Sequence, residues 1–308
     1  MSGLKLDRRA FVLQCSAAAS LGLLATRAPR AQNVRMLLRP IPRTGEMLPV
    51  VGLGTSDEFE FVPDDGDEEL KAVISTLVEQ GGTIIDTAPG YGDAEALLGK
   101  FLDEMELKKH IFLCSKVKRT GRQAGLQSLS QSNELLGKEP LDALMVHSLE
   151  DVHTQVENLR HWKDSGRVRH IGITTYGGTG YDVVEEFVKQ GHVDFIQVDY
   201  SVVQTLAEER VIPAAADHGV AVMINSAFGN GAYFSRLRGK ALPNWAAEVE
   251  CESWAQFSLK YILGQAGVTC VLAATSDPRH MLDNARAGMG ALPDAAMRRR
   301  MAEHMGTV

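Results

Sequence analysis

Short apolar runs alternate along this chain with longer segments in which apolar residues recur every three or four positions. The short runs are rich in Val, Ile, Leu and Phe. They occupy residues 49–52, 83–86, 111–115, 143–147, 171–174, 195–198, 220–224 and 270–273. Nearly continuous apolar runs of this length are typical of parallel strands that are covered on both faces. The pattern therefore predicts eight buried parallel strands.

Helical periodicity fills the intervals between these runs. It is clearest over residues 68–79, 95–104, 182–189, 207–217, 253–263 and 278–287. The helix predicted over 278–287 has Asp277 at its N-cap position and Pro278 at its first position. Eight strand–helix units in about 250 residues predict an α/β protein with a (β/α)8 TIM barrel. The alternative is a doubly wound open sheet, but no Gly-x-Gly-x-x-Gly follows an early strand.

Two shorter segments lie outside the strand–helix alternation. Residues 36–49 contain the turn residues Arg43, Thr44 and Gly45 between two apolar stretches, which predicts a hairpin at the bottom of the barrel. The basic run at residues 298–300 is interpreted as a solvated helix face.

The first 31 residues form a separate segment. An apolar stretch over 12–25 follows a basic start, and it is shorter than the roughly 20 residues that a spanning helix needs. The run DRRAFVL at residues 7–13 resembles a twin-arginine export motif. We therefore expect residues 1–31 to be a signal peptide read by the twin-arginine (Tat) translocon. Residues 32–308 would then be a single barrel domain in the periplasm, with no membrane span. A disordered leader on a cytoplasmic protein is the alternative.

Composition narrows the functional classes. Of 308 residues, 32 are Lys or Arg and 39 are Asp or Glu, so the formal net charge is −7, which argues against a nucleic-acid-binding protein. The four cysteines, Cys15, Cys114, Cys251 and Cys270, have no paired spacing, so neither a disulfide framework nor a zinc site is expected. A metal-assisted hydrolase or isomerase would need paired His, Asp or Glu ligands, and no such spacing is present.

Candidate chemistry lies at the ends of three successive predicted strands. Asp86, Lys116 and His147 stand at these ends, and Tyr91 follows five residues after Asp86. In a (β/α)8 barrel the carboxyl ends of the strands carry the active site. A phenol has a pKa of about 10, and a nearby lysine cation favours the phenolate and lowers that pKa. Together these residues could protonate a carbonyl oxygen while a bound carrier delivers hydride to its carbon.

Several motifs resemble the aldo-keto reductase family, over residues 36–290. They are IIDTAPGYG at 84–92 with Glu95, CSK at 114–116, MVH at 145–147, GRVRHIGI at 166–173, and ATS at 274–276 with Asp283 and Asn284. The resemblance implies a proton-relay tetrad of Asp86, Tyr91, Lys116 and His147. It implies an NAD(P)-dependent oxidoreductase in which Tyr91 is the proton donor for small aldehydes and ketones, or the acceptor in the reverse direction.

The resemblance also implies a nicotinamide cofactor, NADP(H) by preference with NAD(H) as the alternative. The residues implied to bind it are Thr174, Thr175 and Gln197 at the carboxamide, Asn225 at the nicotinamide, Ser226, Gly229 and Gly231 at the pyrophosphate, and Thr275, Arg279, Asp283 and Asn284 around the adenosine end. Many members have an aromatic residue in place of Asn225, and many NADP-specific members have lysine in place of Ala274. An inactive, exported binding or accessory barrel is therefore the alternative function.

The substrate pocket is less defined by the sequence. Aromatic residues of the expected top loops could form its wall, namely Phe59, Phe61, Phe228, Tyr233, Phe234 and Trp245. The helix over 278–287 is expected to be the last, so residues 288–308 leave no room for the long C-terminal loop of narrow-specificity members. An open site for small carbonyl compounds is the expectation.

Overall fold

The computed structural model describes residues 35–60 and 66–308. The predicted signal segment, residues 1–31, lies outside the described residues, and so does Phe61. Among the residues that are described, no helix is long and apolar enough to cross a membrane.

Residues 35–60 and 66–308 contain ten strands, which form two sheets. An antiparallel hairpin pairs β1 (Leu38–Pro40) with β2 (Met47–Pro49). The other eight strands are β3 (Val51–Gly54), β4 (Ile84–Asp86), β5 (Phe112–Val117), β6 (Leu141–Val146), β7 (Val168–Thr174), β8 (Phe195–Asp199), β9 (Ala221–Asn225) and β10 (Cys270–Ala274). All neighbouring pairs among these eight are parallel, and β10 pairs with β3 to close the barrel. The predicted (β/α)8 barrel is confirmed.

Helices follow the barrel strands along the chain. They are α1 (Asp67–Glu79), α2 (Ala94–Glu104), α3 (Arg122–Leu136), α4 (Val152–Asp164), α5 (Tyr181–Lys189), α6 (Leu206–Glu209), α7 (Val211–Asp217), α8 (Ala232–Leu237), α9 (Trp254–Leu263), α10 (Pro278–Ala287) and α11 (Ala295–Thr307). Two 3-10 helices cover His147–Leu149 and Asn244–Val249. As predicted, Asp277 is the N-cap of α10, and its carboxylate accepts a hydrogen bond from the Arg279 amide at 2.7 Å.

Along each barrel strand, successive side chains alternate between the inside and the outside of the barrel. Residues of one face pack inside the barrel, and those of the other face pack under the helices, because side chains of a strand point to opposite sides at every step. The inner set is Ile84, Phe112, Cys114, Ala143, Met145, Phe195, Ala221, Met223, Cys270 and Leu272. This inner packing fills the barrel and leaves only its ends for polar groups.

The hairpin closes the N-terminal end of the barrel. Ile41 and Leu48 are buried among the inner barrel residues. Next to them, the Glu46 carboxylate accepts a hydrogen bond from Arg169 on β7 at 2.7 Å and contacts the His170 ring nitrogen at 3.1 Å. The predicted hairpin at the barrel bottom is therefore present, and it is held by both apolar and charged contacts.

The prediction of a single helix over 207–217 is wrong, because the structure has two helices, α6 and α7, with a break between them at Arg210. The backbone of Arg210 leaves the helical region, at φ −131° and ψ −73°. Pro213 explains the break, since a proline lacks an N–H and its ring clashes with the carbonyl four residues earlier, here that of Glu209. The sequence contained this signal, because proline at the third position after the break is plain in the chain.

Helix α10 is not the last helix, and Arg298 is not solvated. Residues Ala295–Thr307 form α11, whose N-cap carboxylate on Asp294 accepts from the Met297 amide at 2.8 Å. The Arg298 side chain is 12% exposed, lies over the Tyr261 ring and pairs with Glu208. Arginine at this position therefore ties the C-terminal helix to α6 rather than forming part of a solvated face.

Candidate active site

The inner register of the strands brings polar side chains to the C-terminal end of the barrel. A side chain two residues beyond an inner apolar residue points to the same side of its strand. Asp86 follows Ile84 at this spacing, and Lys116 follows Cys114. His147, Gln197 and Asn225 follow Met145, Phe195 and Met223 in the same way. Local strand geometry therefore explains why these five residues converge.

Asp86 and Lys116 form a buried ion pair. The Lys116 ammonium donates to the Asp86 carboxylate at 2.6 Å and to the Thr87 carbonyl at 2.9 Å. Their side chains are 1% and 7% exposed for Lys116 and Asp86, respectively. Burial disfavours the charged ammonium, but the carboxylate of Asp86 and the hydroxyl of Tyr91 outweigh it, so the pKa of Lys116 is raised. Lys116 therefore carries a charge at neutral pH.

Tyr91 lies between this ion pair and His147. The Lys116 ammonium is 5.0 Å from the centre of the Tyr91 ring, and the His147 ring meets it edge-on with centres 5.8 Å apart. Burial raises the pKa of Tyr91, while the charge of Lys116 lowers it, and burial is the larger effect. The sequence-based expectation of a net lowering is therefore wrong for this structure. The phenol stays protonated well above neutral pH.

His147 is a neutral imidazole. Burial, followed by the positive charges of Lys116 and Lys118, lowers the pKa of His147 to about 4. Its Nδ1 atom is buried and has no hydrogen-bond partner among the described residues. His147 is the first residue of the 3-10 helix His147–Leu149, which directly follows β6. A neutral ring in this place can donate an N–H to an acceptor in the adjoining cavity.

A cavity of about 780 Å³ opens above these residues. Its wall includes many of the residues implied by the sequence, namely Asp86, Tyr91, His147, Thr174, Thr175, Gln197, Asn225, Ser226, Gly231 and Thr275. Lys116 lies behind this wall, against Asp86. Four residues of the wall each have a buried polar atom without a hydrogen-bond partner among the described residues, namely Asp86 Oδ1, His147 Nδ1, Gln197 Nε2 and Asn225 Oδ1. Because unpartnered buried polar atoms are costly, four of them around one cavity are available to a polar ligand.

Comparison with known proteins identifies the family of proteins that this chain resembles. The sequence profile described as Aldo/keto reductase family matches residues 51–302. The NADH-specific methylglyoxal reductase of Escherichia coli is 24% identical over 321 residues, covering 86% of this chain and 98% of that protein.

Solved structures agree in fold. A Klebsiella pneumoniae aldo-keto reductase in complex with NADPH matches with a TM-score of 0.73 and 20% identity, covering 89% of this chain and 95% of that one. A Klebsiella pneumoniae aldo/keto reductase in complex with NADP and acetate matches with a TM-score of 0.72 and 22% identity, covering 84% and 93%.

This chain belongs to the aldo/keto reductase family. It is an NAD(P)-dependent oxidoreductase of aldehydes and ketones. The four residues of the tetrad implied by the sequence motifs, Asp86, Tyr91, Lys116 and His147, lie together at one end of its barrel.

The hydroxyls of the two threonines are already engaged in this aldo/keto reductase. Thr174 Oγ1 accepts a hydrogen bond from the Ser148 amide at 2.9 Å, so its own proton remains available to a ligand. Thr175 Oγ1 donates to the Thr179 carbonyl at 2.5 Å, which uses that proton. Of the two, only Thr174 retains a donor for a bound carboxamide.

Four other predicted cofactor residues do not form part of the cavity wall. They are Gly229, Arg279, Asp283 and Asn284. The Asp283 carboxylate accepts hydrogen bonds from Ser253 at 2.6 Å and from Gln256 at 2.7 Å, and these bonds join α10 to α9. Asn284 is buried and Arg279 is turned to solvent. In this structure Asp283 therefore serves the packing of α10 on α9.

The cavity wall also contains residues that the sequence motifs did not single out. They are Ser56, Asp57, Glu58, Tyr176 and Asn230. All of them follow a strand end within a few positions, so a wider reading of the strand ends could have found them. His280 of α10, for which the resemblance implies the same role as for Arg279, also lines the wall. The Asn230 amide donates to the Tyr176 hydroxyl at 3.1 Å, and this bond links the loops after β7 and β9.

The aromatic residues expected in the pocket divide into two groups. Phe228 and Phe234 line the cavity, with ring centres 4.9 Å apart. Phe59 and Tyr233 are buried in the core instead, and Trp245 packs against Phe257. No residue of 288–308 lines the cavity in the part of the chain that the structure describes. Within residues 35–60 and 66–308, no group of three or more His, Cys, Asp or Glu could hold a metal ion.

Proposed function

We propose that this protein reduces small aldehydes and ketones to alcohols, or catalyses the reverse reaction, with Tyr91 as the proton donor. One observation carries the proposal. A buried Asp86–Lys116 ion pair lies beneath the Tyr91 ring, and the neutral His147 ring meets that phenol from the side, at the wall of a single cavity. A phenol, a fixed cation and a neutral imidazole are the groups that carbonyl reduction requires.

Tyr91 holds the proton that the developing alkoxide needs. Its raised pKa keeps the phenol protonated at neutral pH. The Lys116 ammonium stabilises the phenolate that remains after transfer, and Asp86 holds that ammonium in place. The ion pair therefore makes proton transfer from a weak acid feasible without ionising that acid beforehand.

His147 orients the substrate. As a neutral ring it donates an N–H to the carbonyl oxygen and leaves the oxygen's second lone pair to Tyr91. A protonated ring would instead compete as the acid, and the pKa of about 4 prevents this at neutral pH. The division of roles between the two rings follows from their different environments.

Gln197 and Asn225 fit a carboxamide. The unpartnered Gln197 Nε2 is a donor and the unpartnered Asn225 Oδ1 is an acceptor, and a carboxamide offers the complementary pair. Thr174, Ser226, Gly231 and Thr275 would extend this contact along the cavity wall. A bound nicotinamide dinucleotide supplies the hydride for the reaction. Solved family members of this fold include structures with NADP and NADPH, and the relative from Escherichia coli is NADH-specific by name.

Small, uncharged carbonyl compounds are the proposed substrates. Phe228 and Phe234 offer an apolar wall beside Tyr91, and the described residues of 288–308 leave the cavity uncovered. The name of the Escherichia coli relative, a methylglyoxal reductase, belongs to the same chemical class. A first screen would therefore compare short aldehydes, 2-oxoaldehydes and small ketones.

The substitution Tyr91→Phe tests the proposal. We expect the reduction rate to fall by about 10²–10⁴-fold, since a positioned general acid contributes roughly that much. The cofactor dissociation constant should change by less than about twofold, because the Tyr91 hydroxyl is not among the groups assigned to the cofactor. A change of this size is smaller than the loss of one hydrogen bond. Steady-state kinetics and a titration of nicotinamide fluorescence measure the two quantities.

Tyr176→Phe is the matched control, since it removes a phenol oxygen from the same cavity wall without touching the ion pair. Parental turnover in Tyr91→Phe would overturn the assignment of the acid. If the parent itself neither bound a nicotinamide dinucleotide nor reduced any carbonyl, the barrel would be an accessory or binding protein instead.

We also propose that residues 1–31 direct export to the periplasm. The proposal rests on the DRRAFVL run at 7–13 and the short apolar stretch after it. Fractionation of cells that express the full chain should find the mature protein in the periplasm. A double variant Arg8→Lys, Arg9→Lys should remain in the cytoplasm, and equal export of both proteins would contradict the proposal.

A further inference from the structure

The end of β10 carries an acidic contact at the place implied for the adenosine end of the cofactor. The Ser276 hydroxyl donates to the Glu58 carboxylate at 2.5 Å. Glu58 lies four residues beyond β3, which pairs with β10, so the two loops are neighbours. Glu58 lines the cavity together with Thr275 and His280. One carboxylate therefore lies beside Ser276 on this wall, close to Thr275, which the resemblance implies for the adenosine end of the cofactor.

No Lys or Arg lines this cavity among the described residues, and His280 is the one basic side chain on its outer part. Asp57, Glu58 and Asp86 contribute carboxylates to its wall, and none of the lining residues is Lys or Arg. Asp86 is neutralised by Lys116, which leaves the other two. Ala274, at the end of β10, contributes only a methyl group. The outer part of the cavity wall therefore carries two carboxylates and no Lys or Arg.

Arg279, which the resemblance implies for the adenosine end, is engaged elsewhere. Its guanidinium donates to Asp277 at 2.6 Å and 3.1 Å, and its side chain is 88% exposed. The same contacts hold the pKa of the Asp277 carboxyl below its usual range. Moving Arg279 to a phosphate would break a bidentate ion pair, although in the solvated position this pair is only weakly stabilising.

We propose that Glu58 is a specificity residue that selects NAD(H) over NADP(H). The inference rests on the proposed function, since it requires that a nicotinamide dinucleotide occupies this cavity. A carboxylate accepts a hydrogen bond from a ribose 2′-hydroxyl, which is how dinucleotide-binding proteins commonly recognise NAD. A 2′-phosphate adds nearly two negative charges at the same point, and Glu58 repels them with no lysine or arginine on the cavity wall to offset the repulsion.

Binding titrations test this inference without turnover. Residues 32–308 and the full chain are each titrated with NADH and NADPH, and nicotinamide fluorescence is followed. ADP-ribose and its 2′-phosphorylated form, followed by calorimetry, probe the adenosine end alone. We expect NADH to bind at least about tenfold more tightly than NADPH, and ADP-ribose to show the same preference. The preference should shrink as salt rises, because screening weakens the repulsion of the 2′-phosphate.

Glu58→Gln removes the charge and keeps the shape of the side chain. We expect this variant to bind NADPH about tenfold more tightly than the parent and NADH a few-fold more weakly. The expected signal is a gain of binding, which an unfolded variant cannot imitate. Asp57→Asn is the matched control, since it removes the same charge from the same loop at a carboxylate without a hydrogen bond to Ser276, and it should change the preference much less than Glu58→Gln does.

Four outcomes would overturn the inference. NADPH binding more tightly than NADH to the parent overturns it and leaves the proposed function intact. An unchanged preference in Glu58→Gln, or an equal change in Asp57→Asn, shows that Glu58 is not the residue that discriminates. Failure of both dinucleotides to bind overturns the proposed function and this inference together.

Discussion

The two ends of the barrel are built from the same strands but differ in how their polar groups are satisfied. At the N-terminal end, charged side chains pair with one another or with backbone carbonyls. At the C-terminal end, Asp86, His147, Gln197 and Asn225 each keep a buried polar atom without a partner. The contrast separates a part of the molecule that serves stability from a part that serves binding and catalysis.

At the N-terminal end of the barrel, nearly all of the charged side chains have a hydrogen-bond or ion-pair partner within the protein. Arg39 donates to the carbonyls of Leu263, Gln265 and Val268, which closes the loop before β10. The Lys163 ammonium lies 2.6 Å from the Asp194 carboxylate, which also accepts from the Ile171 amide. The exception at this end is His170 Nδ1, which is buried without a partner while Nε2 contacts Glu46. Internal partners leave little for a ligand to gain here.

At the C-terminal end, several buried polar atoms have no hydrogen-bond partner among the described residues. These unpartnered atoms weaken the isolated fold, since a buried donor or acceptor without a partner costs about 1–3 kcal/mol. A ligand with complementary groups recovers that free energy on binding. Active sites commonly store instability in this way.

Lys116→Met should have the largest effect on this contrast. We expect turnover to fall at least about a hundredfold and the free energy of unfolding to fall by about 3–5 kcal/mol, because Asp86 is left as an unpaired buried carboxylate. Kinetics and chemical denaturation measure the two effects. Adding Asp86→Asn to Lys116→Met should restore much of the stability and none of the activity. Restored activity in the double variant would contradict the role of the ammonium.

Gln197→Ala should weaken cofactor binding about tenfold and leave stability nearly unchanged or slightly raised, because it deletes an unpartnered buried atom. Gln155→Ala is its control. The Gln155 amide donates to the carbonyls of Arg119 and Gly121 at 3.0 and 3.1 Å, so its loss should lower stability by about 1–3 kcal/mol and leave cofactor binding unchanged. Equal stability losses in the two variants would remove the distinction between satisfied and unsatisfied amides.

Glu46→Gln, at the N-terminal end, should lower the free energy of unfolding by about 1–2 kcal/mol at pH 7 and leave turnover unchanged. Burial alone would raise the pKa of Glu46, but hydrogen bonds from Arg169 and His170 outweigh it and lower that pKa. A carboxylate with a lowered folded-state pKa stabilises above its unfolded pKa and loses that contribution as pH falls through the folded value. The difference from the parent should therefore vanish in acid, and a constant difference would contradict the ion pair as its cause.

The smallest predicted effect is a flat pH profile for carbonyl reduction. The pKa of His147 is about 4 and that of Tyr91 lies above its usual value of 10.0, so neither group titrates between pH 5 and pH 9. We expect kcat/KM for reduction to vary less than about twofold over this window. The reverse reaction needs the phenolate and should rise with pH up to the pKa of Tyr91. An inflection near pH 6.5 would show an ordinary histidine instead.

The candidate site was more predictable than its electrostatics. The residues at strand ends, including Asp86, Lys116 and His147, could be named from short motifs because strand period and barrel topology place them. The pKa of Tyr91 could not, since the sequence shows the nearby lysine but not how far the ring is buried. Burial is a sum over distant segments, and it reversed the expected direction.

Local signals account for the eight strands, the hairpin and the N-cap of α10, because hydrophobic period, turn residues and capping act within a few positions. Contacts between distant segments decided the rest. Arg298 meets Glu208 across 90 positions, and Ser276 meets Glu58 across 218. Which polar atoms find partners, and which remain available to a ligand, depends on such long-range encounters. These contacts form only when the barrel closes and the helices pack on it, so no local sequence pattern predicts them.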